Sequence, residues 1–189
     1  MKIYTIIAGV NGVGKSSLTG ALKAERNDLG YVIDIDKYAA ENNCGAIKAG
    51  IFAIAKIDEL FSKGVSFSQE TTLAGQRAKK MVKLAKEKGY FIRLYYIGLN
   101  DCEESVKRIK NRVEKGGHNI PSEDVTRRYN NRFADLTKIL PYCDETRLYD
   151  NDNGFAEVGE YKNGELLCKG DYIPQWLKEF KEFYGKSDY

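Results

Sequence analysis

The chain of 189 residues is long enough for one domain of ordinary size, and its 42% hydrophobic and 30% charged residues are typical of a soluble globular protein. Its formal net charge of +3 is too small to indicate nucleic-acid binding. No apolar run is long enough to span a membrane and the first one is too short for a signal peptide, so we expect a cytoplasmic protein without a membrane partner.

The first element in chain order is a phosphate-binding loop. Residues 9–16 read Gly-Val-Asn-Gly-Val-Gly-Lys-Ser, between a predicted buried strand at 3–8 and a predicted helix at 17–26. This is the G-x-x-x-x-G-K-S pattern in the strand–loop–helix context that binds the phosphates of ATP or GTP. Lys15 is predicted to reach the outer phosphates and the Ser16 hydroxyl to bind Mg²⁺. The predicted nucleotide-binding residues of this segment are Gly9, Asn11, Gly12, Val13, Gly14, Lys15, Ser16 and Ser17.

Two carboxylates close the second predicted strand, at 31–36. Asp36 ends this strand and is the predicted base or positioning carboxylate for an acceptor hydroxyl. Asp34 lies two residues earlier, so strand alternation would point it the same way, where it could hold a metal-bound water. The alternative is that both carboxylates cap the following helix or turn.

A third predicted strand, at 64–70, follows a helix at 46–61 and ends in Glu70-Thr71-Thr72. A carboxylate followed by two hydroxyls suits the binding of a polyol substrate, and Glu70 could also order Mg²⁺ through water. The alternative is a helix N-cap at Thr71 or Thr72 with an exposed acid nearby.

The next predicted elements are a helix at 75–88, a central strand at 90–99 and a helix at 101–114. A helical lid is predicted at about 108–132, so it begins within the last of these helices. The loop between its two helices carries a glycine pair that predicts a hinge, and also His118, a candidate substrate ligand. Lid closure would bring guanidinium groups onto the γ-phosphate and exclude water. Arg112 and Arg128 are the predicted catalytic contacts, and Arg108 is assigned to the nucleotide. The alternative is that the lid arginines, which also include Arg127 and Arg132, are ordinary solvated side chains.

The last predicted elements are a strand at 143–149, a hairpin at 155–168 that turns at Asn163-Gly164, and an amphipathic helix at 173–184. Asn151 follows the last strand before the hairpin, where an adenine pocket often lies, and is therefore assigned to the nucleotide.

Strands that alternate with helices predict an α/β fold of the P-loop NTPase or kinase type. We expect a doubly wound, parallel five-stranded sheet with a helical lid and a C-terminal hairpin and helix over 155–184, all in a single domain of residues 1–189. Because ligands bind beyond the carboxyl ends of parallel strands, the phosphate loop, Asp36 and Glu70 should line one cleft.

These motifs resemble, in order and spacing, those of the zeta-toxin-like P-loop kinases of bacteria. The resemblance covers about residues 3–152 and is closest to the small chromosomal branch with a Gly-Gly-His lid. The motifs are the loop at 9–16, Asp36, Glu70-Thr71-Thr72, Arg112-Val113-x-x-Gly116-Gly117-His118-Asn119-Ile120-Pro121, Arg127-Arg128-Tyr129 and Arg147-Leu148-Tyr149-Asp150-Asn151.

The resemblance implies an enzyme that uses ATP and Mg²⁺ to phosphorylate UDP-N-acetylglucosamine on a sugar hydroxyl. Asp36 would then be the base for the 3′-hydroxyl, and Glu70 and Thr72 would hold the sugar. The lid is shorter than in the best-known members, so His118 or Arg128 would stand in for their second arginine. It also implies an antitoxin as a candidate partner, although no residue pattern marks a contact.

The function expected from the sequence is therefore that of an ATP/Mg²⁺-dependent small-molecule kinase acting on a hydroxyl of a nucleotide sugar or related metabolite. A kinase for another sugar or a nucleoside is one alternative. A regulatory nucleotide-binding module without a small-molecule acceptor is another, and in such a module Asp36 would be dispensable.

Overall fold

A seven-stranded sheet in the order β2-β3-β1-β4-β5-β6-β7 forms the centre of the fold. The computed structural model describes residues 1–117, 119–152 and 154–186. The strands are β1 (Ile3–Ala8), β2 (Tyr31–Ile33), β3 (Phe67–Thr71), β4 (Phe91–Gly98), β5 (Glu145–Asp150), β6 (Ala156–Lys162) and β7 (Glu165–Cys168). The helices are α1 (Lys15–Glu25), α2 (Ile35–Glu41), α3 (Ala46–Lys63), α4 (Arg77–Glu87), α5 (Cys102–Glu114), α6 (Ser122–Thr137) and α7 (Gln175–Gly185), with a short 3₁₀ helix at Leu140–Tyr142. None of the helices in these ranges is long and apolar enough to cross a membrane.

The sheet is covered on both faces, as the alternating side chains of its central strand β1 show. Tyr4 and Ile6 belong to one hydrophobic cluster, to which α6 contributes Phe133, whereas Ile7 belongs to a second cluster together with Leu18 of α1. Both faces of the central strands are therefore apolar and buried, which explains why their sequences are nearly continuous hydrophobic runs.

Strands β1 to β5 pair in parallel, which confirms the predicted doubly wound parallel sheet of five strands. The C-terminal hairpin extends this same sheet, because β6 pairs antiparallel with β5 and β7 with β6. The turn lies at Asn163-Gly164 as predicted, with φ angles of 54° and 87° that suit Asn and Gly. The expectation of five strands was therefore incomplete, since the sheet has seven.

The predicted strand at 31–36 is wrong at its carboxyl end. Strand β2 ends at Ile33, and a short helix, α2, begins at Ile35. Asp34 is the N-cap of this helix, since its carboxylate accepts a hydrogen bond from the Lys37 backbone N–H at 3.0 Å. Asp36 lies in the first helical turn instead of ending the strand. For Asp34, the capping alternative describes the local structure.

Candidate functional site

The phosphate loop joins β1 to α1, and its glycines adopt backbone conformations that other residues rarely reach. Gly14, the N-cap of α1, has φ = 98°, and a Cβ there would lie 2.6 Å from Nδ2 of Asn151. Gly9 has φ = 147°, and a Cβ there would lie 2.5 Å from the carbonyl oxygen of Ile97. The turn therefore needs glycine both for its backbone conformation and for its close packing against β4 and the segment after β5.

A cavity of about 450 Å³ lies in front of this loop, beyond the carboxyl ends of β1 and β3. It brings together residues predicted from four separate parts of the sequence. The lining residues are Asn11, Gly12, Gly14, Lys15, Ser16, Ser17, Asp34, Ile35, Asp36, Glu70, Thr71, Thr72, Arg108, Arg112 and Arg128.

The Lys15 ammonium group folds back onto its own loop. Its Nζ donates hydrogen bonds to the carbonyl oxygens of Gly9 and Val10, both at 3.0 Å. Burial of the ammonium lowers the pKa of Lys15 to about 8, although the nearby carboxylates of Glu70 and Asp36 act in the opposite direction. The loop thus holds a partly desolvated cation whose proton is lost more readily than that of a solvated lysine.

Ser16 and Glu70 form a compact cluster of oxygen atoms at the centre of the cavity. The Ser16 hydroxyl donates to Oε2 of Glu70 at 2.8 Å and lies 3.5 Å from Oδ2 of Asp34. The Thr19 hydroxyl holds the other Glu70 oxygen, Oε1, at 2.7 Å. Burial raises the pKa of Glu70, and the charge of Asp34 adds to this increase.

This cluster fits Mg²⁺, which prefers hard oxygen ligands and retains several waters. A cation would offset the cost of the buried Glu70 carboxylate, and the Ser16 hydroxyl is the position predicted to bind it. Within the described ranges no group of three or more His, Cys, Asp or Glu side chains could hold a metal ion.

Asp36 faces this cluster from α2 and lies opposite the lid. Its Oδ2 is 3.8 Å from a terminal nitrogen of Arg112 on α5. About half of the Asp36 side chain, 53%, is exposed to solvent. The carboxylate is therefore both near the phosphate loop and open to an incoming molecule.

Three of the five lid arginines line the cavity. Arg128 of α6 donates to Oδ1 of Asn11 at 2.9 Å, which ties the lid to the phosphate loop. Arg108 of α5 donates to Glu104 at 2.9 Å and to the Asn151 carbonyl oxygen at 3.0 Å. The other two do not line it: Arg127 pairs with Asp124 on the surface, and Arg132 pairs with Glu179 of α7.

The glycine pair of the lid follows Lys115, the C-cap residue of α5, and closes the end of that helix. The N–H groups of Gly116 and Gly117 donate to the carbonyl oxygens of Val113 and Arg112, both at 2.9 Å, and Gly116 has φ = 83°. This is the hydrogen-bond pattern of a Schellman motif. The cap places the loop directly against Arg112, while His118 lies outside the described residues.

Three predicted nucleotide residues do not line the cavity but support its floor. Gly9 and Val13 belong to the loop but do not face the cavity, and Nδ2 of Asn151 donates to the Val13 carbonyl oxygen at 2.9 Å. Thr71 lines the cavity, and its hydroxyl also accepts the backbone N–H of Leu73 at 3.0 Å, which fixes the turn after β3.

Sequence reasoning missed Thr19, which orients Glu70. The sequence feature that could have identified Thr19 is its position three residues after Ser16, because residues separated by three on a helix share a face. It also gave no role to Trp176 of α7, which contacts the segment around Asn151 as described below.

Comparisons with known proteins agree with this architecture. The family model described as Zeta toxin matches residues 47–155, a segment that begins after the phosphate loop. An uncharacterised protein of Haemophilus influenzae is 36% identical over 126 residues, which are 64% of this chain and 88% of that protein.

Two solved structures share the fold. A chain from the PezAT chromosomal toxin–antitoxin system of Streptococcus pneumoniae superposes with a TM-score of 0.66 at 19% identity, over 98% of this chain and 85% of that one. The AvrRxo1-ORF1:-ORF2 structure with ATP superposes with a TM-score of 0.68 at 17% identity, over 97% of this chain and 63% of that one. The chain has the fold of a P-loop kinase and belongs to the zeta toxin family.

Proposed function

We propose that the protein transfers the γ-phosphoryl group of ATP, with Mg²⁺, to a hydroxyl of a nucleotide sugar such as UDP-N-acetylglucosamine or a related metabolite. The observation that supports this most is the composition of one cavity. Its floor is a phosphate loop, one wall carries an exposed carboxylate, and the other wall carries three arginines.

The nucleotide would occupy the loop, whose backbone N–H groups and following helix N-terminus favour an anion. On binding, Lys15 would exchange its two carbonyl partners for outer phosphate oxygens. Arg108 and Asn151 would support the nucleotide from the side of β5. Mg²⁺ held by Ser16, and through water by Glu70, would neutralise phosphate charge.

The acceptor hydroxyl would approach from the side of Asp36, with Glu70, Thr71 and Thr72 binding its other polar groups. The hydroxyl oxygen forms the new bond to phosphorus, the bond to the ADP oxygen breaks, and Asp36 takes the proton. Arg112 and Arg128 would stabilise the negative charge on the transferring group. Arg112, 3.8 Å from the Asp36 carboxylate, would also hold that carboxylate in place beside the acceptor hydroxyl.

The test is ADP release from Mg-ATP with and without UDP-N-acetylglucosamine, followed by mass analysis of the sugar nucleotide. We expect a product heavier by one phosphate with the wild type, none with Asp36→Asn, and a normal amount with the control Asp58→Asn, an exposed aspartate of α3. Transfer that persists in Asp36→Asn would refute the assigned base. Bound ATP without any product would favour another acceptor or a regulatory nucleotide-binding module.

An antitoxin partner is a further part of the proposal. One of the similar structures belongs to a toxin–antitoxin system, and the family of this chain is named for its toxins. Co-expression with the product of an adjacent gene, followed by co-purification, tests whether such a partner binds.

A further inference from the structure

The C-terminal helix α7 makes directed polar contacts with the strand ends that border the nucleotide side of the cavity. It lies beyond the segment that the family model matches. Trp176, the single tryptophan of the chain, is fully buried at the start of this helix. Its indole N–H donates to Oδ1 of Asp150 at 2.8 Å, and its backbone N–H donates to the Asn100 side chain at 2.8 Å.

The position of the indole ring is fixed by the strand on which it rests. A Cβ at Gly98, the last residue of β4, would lie 2.1 Å from the ring of Trp176, so the ring packs directly on the backbone. A contact of this kind leaves the ring little freedom to shift, because the neighbouring backbone cannot move aside as a side chain would. The indole N–H is thus a rigid donor.

Asp150, which receives this hydrogen bond, holds the turn that carries Asn151. Its Oδ1 accepts from Trp176, and its Oδ2 accepts the backbone N–H of Asp152 at 3.2 Å. Asn151 lies between Asp150 and Asp152. Its side chain donates to the Val13 carbonyl oxygen of the phosphate loop, and its own carbonyl oxygen accepts a hydrogen bond from Arg108. Two sets of hydrogen bonds, joined by the peptide bond between Asp150 and Asn151, therefore connect α7 to the phosphate loop and to a cavity-lining arginine.

We propose that Trp176 is a positioning residue for the nucleotide. Through Asp150 it fixes the position of Asn151, and Asn151 in turn holds the phosphate loop at Val13 and the side chain of Arg108. This inference rests on the proposed nucleotide binding at the loop. Since coupling between two sites is reciprocal, nucleotide binding should in turn alter the surroundings of the indole.

The fluorescence of Trp176 can be measured in the wild-type protein without a label, because it is the single tryptophan of the chain. Titration with a non-hydrolysable Mg-ATP analogue, with excitation at about 295 nm, should change the tryptophan emission. The midpoint should match the dissociation constant measured with an N-methylanthraniloyl ATP analogue. Binding of that analogue without a change in tryptophan emission would overturn the inference.

A double-mutant cycle separates positioning from general stabilisation. Trp176→Phe keeps an aromatic ring but removes the donor, and should weaken nucleotide binding about fivefold to tenfold, the size expected when one ordinary hydrogen bond is lost. In an Asn151→Ala background, the same change should have little further effect. A full additional loss in that background would show that Trp176 does not act through Asn151.

Phe180→Leu is the matched control, since Phe180 is a fully buried residue of the same helix whose ring packs on Phe133. It should lower the melting temperature and leave nucleotide affinity unchanged. Equal weakening by Phe180→Leu and Trp176→Phe would overturn the inference. Failure of the wild type to bind any adenine nucleotide would overturn the proposed function as well.

Discussion

The lowered pKa of Lys15 predicts that nucleotide affinity depends on pH. Its pKa in the free protein is lowered to about 8, whereas a bound polyphosphate would stabilise the ammonium form and raise it. Below pH 8 the lysine is already protonated, so affinity should be nearly constant. Above pH 8 binding requires uptake of a proton, so the dissociation constant should rise by up to about tenfold per pH unit.

The measurement is titration of the fluorescent ATP analogue between pH 7 and pH 9.5. Lys15→Arg is the control, because an arginine stays charged throughout this range and should give a flat profile at lower overall affinity. A wild-type profile as flat as that of the arginine variant would mean that Lys15 does not titrate in this window.

The buried Glu70 carboxylate provides a prediction about both stability and cation binding. Burial raises its pKa, so the folded state disfavours the ionised form and loses stability as pH rises from the unfolded pKa through the folded one. Above the raised pKa of the folded state that cost is fully present. Glu70→Gln should therefore unfold at the same temperature as the wild type or higher, while the Mg²⁺ concentration for half-maximal ADP release rises about tenfold or more.

Thermal unfolding without metal and a Mg²⁺ titration of activity test these two effects separately. Glu87→Gln, at an exposed position of α4, serves as the control and should change neither. A lower melting temperature in Glu70→Gln would indicate that the carboxylate stabilises the apoprotein, contrary to its raised pKa.

At the residue scale, motif spacing was informative wherever chemistry requires a fixed residue type. The phosphate loop, Glu70 and Arg128 were assigned from sequence alone, and the structure brings them into one cavity. Thr19 was missed because a threonine inside a helix carries no distinctive pattern, and its role depends on where Glu70 lies in space. The assigned catalytic and binding roles remain predictions.

The helix α2 was the element that sequence reasoning failed to predict. Its seven residues are too few to show a helical period, and Ile35 follows the apolar run of β2 after a single aspartate, which is compatible with the alternation of a strand. Only the cap made by Asp34 marks the boundary, and an aspartate is equally common at a strand end or in a turn. The consequence is functional, since Asp36 then projects from a helical turn and not from a strand end.

The C-cap of α5 provides a prediction about the lid. A Cβ at Gly117 would lie 2.5 Å from Cγ of Arg112 and 2.9 Å from its carbonyl oxygen. Gly117→Ala must therefore displace the Arg112 side chain or open the cap. We expect kcat to fall about tenfold or more with a smaller change in the KM for ATP, as for Arg112→Ala, because the contact proposed for Arg112 is with the transferring group.

Steady-state kinetics with ATP as the varied substrate measure this effect. Gly50→Ala is a suitable control, since a Cβ at this position of α3 meets nothing within 4 Å. That variant should keep its activity and gain about 0.5–1 kcal/mol of stability from helix propensity. A change confined to the KM for ATP in Gly117→Ala would assign Arg112 to ground-state binding.

At the scale of the whole molecule, the alternation of strands and helices was enough to predict the parallel sheet. The place of the C-terminal hairpin was not predictable in the same way. Its turn sequence specifies that β6 and β7 pair with each other, but nothing local specifies that β6 also pairs with β5. That pairing is decided by long-range packing, in which α7 covers the hairpin and the end of β4.

The prediction of a single domain can be tested by truncation after residue 155, where the match to the family model ends. The removed segment contributes Trp176, Leu177 and Phe180, each at most 1% exposed, to the main hydrophobic core. Burial of each such side chain is worth about 1.5–3 kcal/mol, so their loss together is comparable to the net stability of an ordinary domain, about 5–15 kcal/mol. We therefore expect the truncated chain to lack a cooperative thermal transition by circular dichroism, whereas the full chain should unfold in one calorimetric step. A truncated chain that melts cooperatively and still binds ATP would show that the C-terminal elements form an appendage to an independent kinase core.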